Sequence, residues 1–145
     1  MDAREFLTVA ETLLRGSTEA EWRSAVSRGY YAAFHEAREL LLLCNFTVPR
    51  DDRAHKYLDH RLSNCGNSDV ELAGRRLDGL RRERNRADYD LHHSYDQARA
   101  TAQVGLARDI TQALDAAALE PIKTQITDAI KIYERDVLQN VTWHP

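Results

Sequence analysis

Residues 18–44 read TEAEWRSAVSRGYYAAFHEARELLLLC, and this stretch decides the fold class. Thr18 and Glu21 stand three apart at its start, the spacing of a capping box. A hydroxyl and a carboxylate there satisfy backbone amides that the first turn of a helix leaves without partners. From Trp22 onward, apolar or small residues recur at 22, 26, 29/30, 33, 37 and 40/41. Steps of three and four put them on one side of an α-helix, whereas a strand would need steps of two. Tyr31 and Phe34 widen that face. The helix running to about Cys44 is therefore expected to be the central one, with Trp22, Tyr30, Phe34 and Leu41 largely buried.

Similar punctuation repeats on both sides. Before this stretch, Phe6, Val9, Ala10 and Leu13 mark one face of a helix from about Asp2 to Arg15, and Gly16 ends it. After it, NFTVPRDD (45–52) reads as a loop, 53–63 as a short helix and CGN (65–67) as a turn. Ser68 with Glu71 forms a second capping box, opening a helix over about 69–88. Ser94 with Gln97 forms a third, opening a long helix over about 95–119. Glu120-Pro121 stops that helix, because proline fits a first turn but not a helix interior. A sixth helix, about 121–138, carries Ile122, Ile126, Ala129, Ile130, Tyr133 and Val137 on one face, and the tail LQNVTWHP is expected to be loosely held. The expected fold is all-α: an antiparallel bundle of about five to six helices in a single domain, 1–145. Its core covers about 2–119, and a further C-terminal helix follows at about 121–138.

Composition narrows the setting. Apolar residues make up 43% of the chain and charged residues 30%, a profile that folds rather than stays disordered. The longest apolar run, Leu40–Cys44, is far too short to span a bilayer, so no membrane partner is expected. The opening MDAREFLTVAE has no apolar segment of the signal-peptide kind. Cys44 and Cys65 lack close Cys–Cys or Cys–His spacing, which suits a reduced, cytoplasmic location with no metal site and no cofactor.

The charge is uneven. Net charge is −3, yet RRLDGLRRERNR (75–86) holds six arginines against two acids, a local balance of +4. It runs straight into Asp88, Tyr89, Asp90, His92 and His93. The apolar stripe of this helix is Ala73, Leu77, Leu80, Ala87 and Leu91, and position 84, on the same stripe, is Arg. An inward-facing charge requires a partner or a wet cleft. One reading pairs Arg84 with Glu36 or Glu39 of the second helix. The other lets it hold phosphate, which the forked guanidinium suits. Arg81 lies beside the stripe, and Arg82 and Arg86 complement the dipole at the helix end. On the second helix Arg28, His35 and Glu39 share a face, with His35 and Glu39 one turn apart. His92 and His93 bring imidazoles, the side-chain type suited to exchanging a proton with a ribose hydroxyl or a leaving oxygen. His55 and His60 show no comparable company.

Two segments resemble a known family. SRGYYAAFHEAREL (27–40) resembles the second helix of the HEPN domain, found in prokaryotic toxin–antitoxin and defence systems. LRRERNRADYDL (80–91) resembles the Arg-Asn…Ala-Asp-Tyr-Asp segment of one HEPN branch. The likeness runs to about residue 119. It implies a homodimeric bundle with a composite cleft near the ends of the motif-bearing helices. It also implies metal-independent RNA cleavage in active members, where an Arg contacts the scissile phosphate and a His four to six positions later handles protons. Many members are paired with a nucleotidyltransferase. Read from Arg84, with Asn85 in register, the position expected to be His is Tyr89, and a tyrosine is a poor base at neutral pH. Read from Arg86, His92 follows after five intervening residues and His93 after six. Three functions are thus expected alternatives. One is a metal-independent endoribonuclease toxin or defence effector, with Arg84, Asp88, Tyr89, His92 and His93 as catalytic candidates. The second is a non-catalytic module that binds RNA or nucleotide through Arg28, Arg81, Arg84, Asn85 and Arg86, or that scaffolds a nucleotidyltransferase antitoxin. The third is a plain helical dimerisation domain in which Arg84 is ion-paired.

Overall fold

A computed structural model describes residues 1–145 as an all-α bundle of six helices. They are α1 (Arg4–Leu14), α2 (Glu19–Leu43), α3 (Arg53–Leu62), α4 (Ser68–Tyr89), α5 (Gln97–Ala117) and α6 (Ile122–Tyr133), the last running into a π-helical turn, Glu134–Leu138. Helix α2 is the centre, packed against α1, α4 and α5, while α3 packs mainly on α4. Its small residues explain the position. Ala25, Gly29, Ala32, Ala33 and Ala37 are buried, and a Cβ on Gly29 would lie 3.5 Å from that of Ala107 in α5. Tyr30 and Leu41 lie in the core with Leu58, Leu80, Ile110 and Ile130. Trp22 and Phe34 are only half-buried, short of the expectation.

The caps show where local pattern yields to packing. Thr18 caps α2, its Oγ1 accepting from the Glu21 amide at 3.2 Å. Helix α4 is capped by Asn67 instead of Ser68, with Oδ1 accepting from the amides of Asp69 and Val70, both at 3.1 Å. Asp96 rather than Ser94 caps α5, accepting from the Arg99 amide at 2.7 Å. The start shifts because Tyr95 is drawn into the core and its amide donates to Glu19 of α2 at 2.9 Å. Val9 is exposed, so α1 turns Leu7, Ala10 and Leu14 inward. Leu91 is exposed because α4 ends at Tyr89, two residues before the stripe would need it.

The C-terminal tail, expected to be loose, is fastened. The π-helical turn holds one residue more per turn, and it leaves Glu134 buried and Val137 exposed. The Glu134 carboxylate accepts from Arg61 Nε at 2.7 Å, from the amides of Thr142 at 2.8 Å and Trp143 at 3.3 Å, and from the Thr142 hydroxyl. Phe46 and Trp143 form an antiparallel bridge, flanked by bonds from the Thr47 amide to Thr142 O (3.1 Å) and from the His144 amide to Asn45 O (2.9 Å). No helix is long and apolar enough to cross a membrane.

Candidate functional site

The C-terminal half of α4 carries two polar clusters. The first faces α2 and centres on Arg84, which is only 9% exposed. Its guanidinium carbon lies 5.2 Å from the ring centre of Tyr30 and 5.4 Å from that of Tyr31. The nearest carboxylate oxygen belongs to Asp88, one turn on, at 3.9 Å, beyond hydrogen-bond range. The Nε of Arg84 is buried and has no hydrogen-bond partner. Asp88 instead accepts from the Ser27 hydroxyl at 3.2 Å. Arg28 reaches the same hydroxyl at 3.5 Å, and its guanidinium lies over the rings of Phe6 (5.4 Å) and Tyr31 (5.2 Å).

The partners expected for Arg84 are elsewhere. Glu36 lies 3.4 Å from Arg4 of α1, and Glu39 is exposed. Arg81 pairs with Asp78 at 3.1 Å, and Asn85 is half-buried beside Arg84. His35 does not take up Glu39; it stacks on Phe6 with ring centres 5.7 Å apart. His55 does have company: it stacks on Tyr30 and shares a hydrogen bond with the Tyr30 hydroxyl. Burial pushes that hydroxyl above the ordinary tyrosine range, although Arg84 and Arg81 pull it back. Burial also lowers His55, and the same two arginines lower it further. The positive field of Arg84 thus reaches its neighbours only weakly compensated.

The second cluster faces the start of α5. Glu83, buried, accepts from Arg86 Nη1 (2.8 Å), Arg99 Nη2 (2.7 Å), Arg99 Nε (3.0 Å) and the Tyr95 hydroxyl (2.7 Å). Burial opposes the charge, but these donors outweigh it and hold the carboxyl at about 2. Next to it, Arg86, Asp90, His93, Ser94, Tyr95 and Arg99 line a cleft of about 270 Å³. His93 Nδ1 lies 2.9 Å from Asp90 Oδ1. The chain here is clamped by buried Arg23 of α2, which donates to the carbonyls of Arg86 (3.2 Å), Ala87 (2.8 Å) and His93 and pairs with Glu19 at 2.9 Å.

The expected site residues therefore divide. Arg28, Arg84 and Asp88 come together, with Arg81 and Asn85 adjacent. Arg86 and His93 line the other cleft. His92 and Tyr89 are exposed, Tyr89 at 75%, and line neither. Sequence reading missed Arg23, Glu83, Tyr95 and Arg99. Only Glu83 carried a local signal, since 76, 80, 83 and 87 form a second row of steps four, three and four beside the stripe. In comparisons with known proteins, the chain matches no family model, no curated protein and no solved structure.

Proposed function

We propose that this protein is a HEPN-like, RNA-directed module that holds a phosphate in the groove between α2 and α4, with Arg84 as its central contact. One observation carries the reading: a nearly buried guanidinium whose Nε has no partner. Leaving a charged donor unsatisfied costs more than an ordinary hydrogen bond returns; Arg61, which also leaves one nitrogen unpartnered, still donates to Glu134 at 2.7 Å and to the Tyr57 carbonyl at 3.3 Å, whereas the carboxylate nearest Arg84 is 3.9 Å away. A phosphate meeting the Nη end of the guanidinium, the part that is not fully buried, would supply paired acceptors of the kind arginine suits. Arg28 and Arg81 strengthen the local field in an acidic protein. The resemblance of residues 80–91 to the HEPN segment points the same way. It also makes a homodimer, a cytoplasmic setting and a nucleotidyltransferase partner parts of the proposal.

Anisotropy of a short labelled RNA tests the groove. Arg84→Lys is expected to weaken binding about 10- to 100-fold through loss of the paired donor geometry, with the salt dependence kept because lysine carries the same charge. Arg84→Met should bind as poorly yet melt no lower than wild type, because an under-paired buried charge is replaced by an apolar side chain of similar length. A Met variant that unfolds readily, together with a wild type that binds neither RNA nor nucleotide, would refute the reading and leave Arg84 a structural residue.

Cleavage is a second reading, favoured by the His93–Asp90 pair. With Nδ1 engaged by the carboxylate, Nε2 is the nitrogen available to take a proton from a ribose 2′-hydroxyl or give one to the leaving oxygen, with Arg86 in the same cleft. Attack by that hydroxyl would leave a cyclic phosphate. His93→Ala should then abolish chelator-resistant RNA cleavage while His92→Ala retains it. Wild-type protein that binds but never cleaves would leave the non-catalytic module.

A further inference from the structure

Where α2 and α5 end side by side, a groove of about 310 Å³ opens between them. Leu40 and Leu114 line it from the core, and Leu43, 50% exposed, stands at its edge. Its charged lining is Glu36, Glu39 and Asp115, three acids and no base. Glu36, Leu40 and Leu43 follow one another on α2 by steps of four and three, so acid and leucine share one face. Arg4 of α1 reaches two of the acids from outside, lying 3.4 Å from Glu36 and pairing with Asp115. One guanidinium against three carboxylates leaves the groove negative. Burial lifts the Glu36 carboxyl above the ordinary range; Arg4 opposes the lift and Asp115 adds to it. Leu43 also lines a second hollow of about 170 Å³, together with Glu120, Lys123 and Asp128. The combination of exposed leucine and excess acid therefore continues past the end of α2 toward α6.

We propose that this groove docks a basic amphipathic helix of a partner protein, with its apolar stripe on Leu40, Leu43 and Leu114 and its lysines or arginines against Glu36, Glu39 and Asp115. Charge complementarity selects the occupant. Nucleic acid has the wrong sign, since three carboxylates repel phosphates. A divalent cation has no cage, because no three acidic, histidine or cysteine side chains come close enough to hold one. A polycation without apolar side chains would leave Leu43 in water. A helix with apolar residues at steps of three and four and cations flanking them meets both halves of the groove at once, and an apolar patch rimmed by charge is the kind of surface that such contacts use. A cation brought to Glu36 would also favour the charged form that burial disfavours. The docking site uses the last two turns of α2, whereas Arg84 packs on Tyr30 and Tyr31. It stands independently of the phosphate reading.

Three labelled helical peptides test this by anisotropy with the full chain: one with leucines at steps of three and four flanked by lysines, the same peptide with glutamate for lysine, and the same with serine for leucine. The first should bind at least about tenfold tighter than either of the others, because each control removes one half of the match. Leu43→Ser should weaken it about tenfold, the scale of one leucine no longer buried. Glu39→Lys should weaken it roughly fivefold or more and reduce its salt dependence. Both side chains are exposed, so both variants should melt like wild type, and neither should change RNA affinity. Failure of the leucine–lysine peptide to bind, equal binding of all three, or binding that ignores both variants would overturn the inference while leaving the Arg84 reading untouched. Light scattering supplies the remaining outcome. A wild-type oligomer that Glu39→Lys or Leu43→Ser dissociates would assign the groove to a second copy of this chain and overturn the inference.

Discussion

Replacing Glu83 by Gln should remove a pH-dependent part of the stability that can be worked out from the structure. Four donors from Arg86, Arg99 and Tyr95 converge on this carboxylate, whose side chain is about a tenth exposed. They lower its pKa from 4.5 to about 2. At 1.36 kcal/mol per unit the shift corresponds to ~3 kcal/mol, and solvent screening of the exposed ends of Arg86 and Arg99 brings the expected value to ~2–3 kcal/mol. The sign follows from the lowered folded-state pKa. As pH falls, the unfolded chain takes up this proton first, so the contribution is complete above about pH 4.5 and disappears between about 4.5 and 2. Gln keeps the size of the side chain but has no charge and turns donor hydrogens toward two arginines. Urea unfolding at a series of pH values from 7 to 3 should therefore show wild type ahead by ~2–3 kcal/mol at pH 7, with the gap holding to about pH 4.5 and narrowing below it. Parallel profiles with a constant gap would refute the reasoning, because the loss would then owe nothing to ionisation.

The buried Arg61–Glu134 pair makes a prediction of its own. Glu134→Ala strands Arg61 and releases Thr142 and Trp143, so it should cost ~3–5 kcal/mol in urea unfolding, whereas Arg61→Met with Glu134→Leu should cost much less than the sum of the single variants. Two buried glycines should behave in opposite ways in thermal denaturation. Gly29→Ala meets nothing closer than 3.5 Å and should be neutral or stabilising by up to ~1 kcal/mol, the helix-propensity difference. Gly74→Ala would drive a Cβ to 2.9 Å from the backbone nitrogen of Ser63, prising α3 from α4, and should destabilise by ~1–3 kcal/mol.

The six helices were legible because their information is local. Steps of three and four repeat along 22–41 and 73–87, and breakers stand between the runs. Such periodicity fixes which residues share a side of their own helix, so the inward position of Arg84 and the central place of α2 could be read from the string. What each side meets is a different quantity, set by how the helices rotate and pack against one another. That packing gave Arg84 two tyrosine rings rather than Glu36, brought Arg99 to Glu83 across 16 residues, and brought Glu134 to Arg61 across 73. It also decided the histidines. Their side of the bundle depends on α4 ending at Tyr89 and on Arg23 reaching across from α2 to hold the following turn, and neither leaves a repeating mark in the sequence. The tail escaped notice for the same reason. A lone carboxylate in a π-helical turn has no periodicity, and its burial follows only once Arg61 and the backbone of 142–143 converge on it.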